Sequence, residues 1–101
     1  MRVTYPTAIV LLAVSRGVVY GFDIMDATGL QSGTVYPILR RLEAAGMVRS
    51  RWEAVTSARD EQRPPRRYYQ VTGAGSREIH SALEKFPGLS ATIVAGSPAR
   101  A

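Results

Sequence analysis

Two short helical patterns separated by three residues constrain this chain more than anything else in it. Gly21 to Thr28 reads GFDIMDAT, with Ile24 and Met25 available to a core and Gly29 placed as a C-terminal stop. Leu30 and Gln31 make a tight turn, and SGTVYPILRRLEAAG follows from Ser32 to Gly46. At about 100° per residue, Val35, Ile38, Leu39, Leu42, Ala45 and Gly46 fall on one side of this second helix. The other side collects Tyr36, Pro37, Arg40, Arg41 and Ala44, without the Glu and Lys pairs that solubilise an idle surface. Two short helices joined by so few residues outline a helix-turn-helix.

Pro37 is the odd member of the second helix. If Ser32 caps the helix, Pro37 forfeits the bond to the Gly33 carbonyl, and its ring crowds an oxygen that a glycine leaves room to move. If Thr34 is the cap, Pro37 sits in the first turn, where its missing N–H has no intrahelical partner and no bond is lost. Either way the cost is confined to the N-terminal turns. What remains is a rigid end presenting Thr34, Tyr36 and Pro37, the end of a recognition helix that enters a major groove.

The flanking segments complete an outline. Thr4 to Ser15 is apolar on nearly every side, as for a helix at the centre of a small bundle, and Thr4 can cap it. MVRSRWEAV alternates Val48, Ser50 and Trp52 against Arg49, Arg51 and Glu53, the period of a half-buried strand. RRYYQVT, Arg66 to Thr72, sets Tyr69 and Val71 opposite Tyr68 and Gln70, and the polar TSARDEQRPP between the strands reads as a long loop. A basic hairpin after a helix-turn-helix is a wing. Thr72 can cap a last helix to about Lys85 or Phe86, with Ile79, Ala82, Leu83 and Phe86 on one apolar stripe that needs a partner. The expected fold is therefore mainly α with a small β-hairpin. Residues 1–72 form a winged helix-turn-helix domain, 73–86 a C-terminal helix, and 87–101, rich in Ala, Gly, Ser and Pro, a disordered tail.

Charge and composition narrow the function. A chain of 101 residues holds one small core. Its 13 Lys and Arg against 8 Asp and Glu give a net charge of +5 and a pI near 10.2, and between Arg40 and Arg67 eight arginines face four acids. Basicity on this scale suits a nucleic-acid binder, and its concentration in the middle of the chain matches the proposed reading helix and wing. There is no cysteine, which removes disulfides and thiolate zinc sites and fits a reducing compartment. The apolar run Ala8 to Val14 is too short to span a bilayer and lacks the flanks of a signal peptide, so no membrane role is expected.

Chemistry-bearing groups are sparse. His80 stands alone, without the spacing of a metal site. Asp23 and Asp26 share a polar helix face with no nucleophile or histidine beside them, and Gly73 to Gly75 lacks the pattern of a phosphate loop. No enzyme, metal or cofactor is expected. Trp52, Tyr68 and Tyr69 read as core and hairpin packing.

YGFDI (Tyr20 to Ile24), SGTVYPILRRLEAAGMV (Ser32 to Val48) and RPPRRYYQVTGAG (Arg63 to Gly75) resemble the PadR family of winged-helix transcriptional regulators. The core TVYPILRRLE carries most of the likeness, because that family keeps a Tyr-Pro pair in its recognition helix. The resemblance implies a homodimeric, cytoplasmic, sequence-specific DNA-binding protein, usually a repressor of its own or a neighbouring promoter. Ser32, Thr34, Tyr36, Pro37, Arg40 and Arg41 would meet the major groove, and Arg63, Arg66 and Arg67 of the wing would lie along the DNA backbone or minor groove. Ile79, Leu83 and Phe86 would dimerise. Some members bind aromatic or cationic drugs, so a small effector of that kind belongs to the expectation. The chain departs from the family in the short region after Gly75 and in QRPPRR, where a glycine commonly precedes the Arg-Pro. A winged helix can also serve as a protein interaction module, with the Tyr36 and Pro37 face docking a partner protein instead of DNA.

Overall fold

The computed structural model describes residues 1–93. The elements run α1 (Tyr5–Ser15), α2 (Gly21–Thr28), α3 (Ser32–Ala44), β1 (Val48–Trp52), α4 (Val55–Asp60), β2 (Arg67–Val71) and α5 (Gly73–Lys85), followed by a 3-10 turn over Leu89–Thr92. The chain is mainly helical with one antiparallel hairpin, the winged-helix arrangement expected from the sequence.

Every residue of α1 from Thr7 to Val14 is buried, which is what its unbroken apolar pattern requires. The helix packs against α2, α3, α5 and β2 and divides the core into two clusters. Val10, Leu11 and Val14 join Ile24, Val35, Leu39, Leu42, Val48 and Tyr69, while Ile9 and Leu12 join Ala82 and Leu89. Burying a side chain the size of Leu39, which is 0% exposed, is worth about 1.5–3 kcal/mol. Thr4 holds the N-cap position of α1 without a capping bond to the backbone. Its hydroxyl instead pairs with that of Thr7 (3.2 Å), the one buried polar side chain among the described residues.

Helix α2 stops at Gly29 in the left-handed conformation (φ 78°), as predicted. The cap of α3 differs from both expectations. Gln31 is the N-cap, so Ser32, Gly33 and Thr34 are the first three helical residues, and the missing N–H of Pro37 lies opposite the Gly33 carbonyl inside the helix. Ala45 and Gly46 were expected on the core side, yet both are exposed. The helix ends at Ala44, and Gly46 (φ 76°) turns the chain out towards β1 before the 3.6-residue repeat brings them round.

The hairpin register pairs Val48 with Val71, Ser50 with Tyr69 and Trp52 with Arg67 on its inner face, and Arg49 with Gln70 and Arg51 with Tyr68 on its outer face. Val19 extends it on one edge, its carbonyl accepting from Tyr69 N–H (2.9 Å). The segment expected as a polar loop contains α4, tied down by Ala58, which is 1% exposed. Thr72 caps α5 as predicted, its hydroxyl accepting from Gly75 N–H (3.2 Å) and donating to the Gly46 carbonyl (2.6 Å). The disordered tail expected from Pro87 is also corrected over its first residues: Leu89 is buried against α1 and α5, Ile93 packs beside it, and hydrogen bonds between the Tyr5 and Thr92 hydroxyls (2.6 Å) and from Arg16 to Ser90 (3.1 Å) tie the turn back. Residues 94–101 of that expectation lie outside the described residues.

Candidate nucleic-acid interface

Helix α3 presents Ser32, Thr34, Tyr36, Arg40 and Arg41 to solvent, with Pro37 half-buried among them, because Val35, Ile38, Leu39 and Leu42 turn the opposite face into the core. Arg40 and Arg41 form no salt bridge among the described residues, so their full charge is available. Tyr36 is 38% exposed and its ring lies over the start of α2. A methyl group on Gly21 would come within 2.5 Å of the ring's Cε1 and 2.7 Å of its Cζ, so this glycine admits the tyrosine. Thr34 N–H already bonds the Gln31 carbonyl (2.9 Å), so the N–H groups of Ser32 and Gly33, with the hydroxyls of Ser32 and Thr34, complete an end suited to phosphate.

The wing is fastened to this helix through a polar relay. Arg67 Nε donates to Ser50 Oγ (2.8 Å), and Ser50 Oγ donates to Glu43 Oε2 of α3 (2.8 Å). Arg66 places its guanidinium 3.9 Å over the Tyr20 ring at the start of α2. Both arginine side chains remain close to half exposed, at 46% for Arg66 and 44% for Arg67. Arg63 is placed differently. It is 22% exposed and is held by Glu53 and Glu61 at the hairpin tip. Burial pushes the phenol of Tyr69, beneath the relay, above its usual pKa.

Between wing and α3 lies a groove of about 260 Å³ floored by Tyr20, Tyr36 and Tyr69 and rimmed by Phe22, Trp52 and Arg66. Trp52 was expected in the hairpin packing, but it is 63% exposed. Its strand position faces inward, but it lies at the end of β1 outside both core clusters, lining the groove with the Arg67 guanidinium 5.6 Å from its ring centre. Tyr69 is buried and Tyr68 half-buried, its ring edge-on to Tyr20 at 6.4 Å. Sequence reasoning missed Ser50, Glu43 and Glu53 as partners of the wing arginines. The signal lay in the hairpin register, which sets Trp52 across from Arg67 and brings Glu53 to Arg66.

Of the three residues expected to dimerise, Ile79 and Phe86 are half-buried against their own chain's core, with Phe86 edge-on to Tyr5 at 5.5 Å, and only Leu83 is exposed. His80 is exposed, and no cluster of three metal-ligating side chains occurs among the described residues. None of the described helices is long and apolar enough to cross a membrane.

The sequence profile of the transcriptional regulator PadR-like family matches residues 10–81, from α1 through most of α5. The chain belongs to the PadR-like family. Among solved structures, this PadR-like protein is similar to a PadR-like transcription factor from Bacteroides fragilis, at 26% identity and a TM-score of 0.67, over 85% of this chain and 84% of that one. The protein smu.1704 from Streptococcus mutans matches at 25% identity and a TM-score of 0.68, covering 84% and 80% of the two chains. A PadR family transcription regulator from Clostridium difficile shares the fold at a TM-score of 0.72 and 19% identity, over 87% and 93%. Comparison with curated proteins gives no match. The PadR-like protein is thus a transcriptional regulator, of a family whose members are not enzymes.

Proposed function

We propose that this protein is a homodimeric repressor that acts in the cytoplasm and reads an inverted repeat in its own or a neighbouring promoter through two copies of α3. The observation that carries the reading is the exposed face of α3, where Arg40 and Arg41 have no acidic partner among the described residues and stand beside Tyr36 and a cationic hairpin. Ser32 and Thr34 meet phosphates at the helix start, while Tyr36, Arg40 and Arg41 choose the sequence. Arg66 and Arg67 add salt-sensitive attraction to the backbone. Two half-sites one helical turn apart, roughly 34–36 Å, suit such a dimer.

The test is a fluorescence-anisotropy titration against the DNA upstream of the coding sequence, with scrambled DNA as control, across a salt series. A specific regulator prefers the upstream DNA by about a thousandfold or more. Arg40→Ala with Arg41→Ala abolishes that preference with unchanged circular dichroism and lowers the salt slope by about one unit per lost phosphate contact. The exposure of Phe22 (73%) and Trp52 (63%) favours a second reading, in which this face docks a partner protein. Unimpaired DNA binding by the double variant, together with loss of a protein partner, would select it.

A further inference from the structure

Five residues per strand give the hairpin little area of its own, and an isolated two-stranded hairpin is at best marginal in water. Its tip lies beyond the hydrophobic core, with Ala58 the one buried residue of α4 described there. What holds the tip is a charged network. Arg63 Nη2 donates to Glu53 Oε2 (2.7 Å), Nη1 donates to Glu53 Oε1, and Nε donates to Glu61 Oε1 (2.9 Å). Glu53 N–H donates to the Arg66 carbonyl (2.8 Å), and Arg66 N–H returns a bond to Glu53 Oε1 (3.1 Å). The Arg63 N–H closes α4 on the Ala58 carbonyl (3.1 Å). Glu53 is only 12% exposed. An arginine meant for phosphate keeps its guanidinium in solvent, whereas this one directs its fork onto a carboxylate, the geometry of the strongest charged hydrogen bonds.

We propose that Glu53 and Arg63 form a clamp that positions the wing: Arg63 does not touch DNA, and its bond to Glu53 sets Arg66 against Tyr20 so that the wing meets DNA beside α3. The clamp rests on the DNA-binding reading for its function and on the geometry of the tip for its existence.

The two accounts of Arg63 predict opposite signs for one substitution. Glu53→Gln adds a net positive charge, so a wing acting only as a cationic surface would bind DNA as tightly or more tightly. The clamp predicts binding weaker by about tenfold, because the positioning of the remaining arginines is lost. Arg63→Met keeps the aliphatic stem and gives a comparable loss. The double variant is no weaker than the poorer single, since all three break one interaction. Melting temperatures stay within a few degrees of the parent, because no core residue changes.

Equal or tighter binding by Glu53→Gln, or losses that add in the double variant, overturns the clamp. Limited trypsin digestion without DNA supplies an arm independent of the DNA reading. With the clamp broken by Glu53→Gln, the wing is cut faster at Arg59 and Arg66, and an unchanged cutting rate overturns the proposal. If the parent chain binds no upstream DNA yet the variant is cut faster, the clamp stands and the DNA reading falls.

Discussion

Pro37 and Glu53 are both residues whose local cost is offset by what they hold. Proline inside a helix is disfavoured by about 3 kcal/mol, yet here the carbonyl left without its donor belongs to Gly33, whose surroundings are open, and the helix proceeds unbroken to Ala44. The return is a stiff first turn from which Thr34 and Tyr36 project. Glu53 illustrates the electrostatic counterpart. The hydrogen bond from Arg63 is the main reason its carboxyl falls from the ordinary 4.5 to about 2; partial burial pushes the other way, and the Arg66 N–H adds to the lowering. Because the folded value is depressed, the pair's contribution to wing stability is complete above about pH 4.5 and is lost as pH falls towards 2. Carbon-detected NMR of the Glu53 carboxyl should find a midpoint near 2, and Arg63→Met should return it towards 4.5. A midpoint already at 4.5 in the parent chain would remove the ion pair from solution.

At the scale of elements, periodicity located every helix and strand that carries a sustained apolar stripe, and it failed where the stripe ends. The all-round burial of α1 and the central core face of α3 (Val35, Ile38, Leu39, Leu42) follow from pattern alone, whereas in α5 the predicted stripe holds for Ala82, in part for Ile79 and Phe86, and not for Leu83, which is exposed. Helix α4 escaped because one described buried alanine leaves no period to detect, and the 3-10 turn because Leu89 and Ile93 are too few to form a period and the hydrogen bonds that hold it come from distant residues, Tyr5 and Arg16. Trp52 was misread for a related reason: alternation says which side of a strand a residue faces, not how far the core extends beneath it. For the site, the exposed arginines of α3 were legible, whereas the capture of Arg63 required knowing which acid lies across the hairpin.

A contact between elements that no pattern announces is Gly75, in the first turn of α5. A methyl group there would fall on the Met47 carbonyl oxygen and lie 3.1 Å from its carbon, so the glycine sets how closely α5 approaches the start of β1. Gly75→Ala should destabilise the chain by about 1–3 kcal/mol in urea unfolding, the usual range for overpacking. Gly33→Ala meets no neighbour within 4 Å and should instead stabilise α3 by about 0.5–1 kcal/mol. Opposite signs at the two helical glycines would tie the loss at Gly75 to the Met47 contact and not to helix propensity.

For the whole molecule, the question is how one short chain would read the two-fold operator proposed for it. On that proposal a single α3 would meet one half-site, so the repressor needs a second copy held at a fixed distance, and the surface for it must come from residues that the fold leaves uncovered. Ile79 and Phe86 are partly committed to α1 and the 3-10 turn, which leaves Leu83 as the exposed apolar residue of α5. Leu83→Asp therefore removes little from the monomer's own core, and its circular dichroism and melting temperature should stay close to the parent's. If α5 dimerises, sedimentation of the variant gives monomers. Affinity for the inverted repeat then drops by a factor of about 10²–10⁴, because the second half-site no longer benefits from being tethered to the first. Binding to an isolated half-site should be unchanged. A dimer that survives the substitution, with intact affinity for the repeat, would move the interface away from α5 and onto the face of α1 that carries the exposed Tyr5.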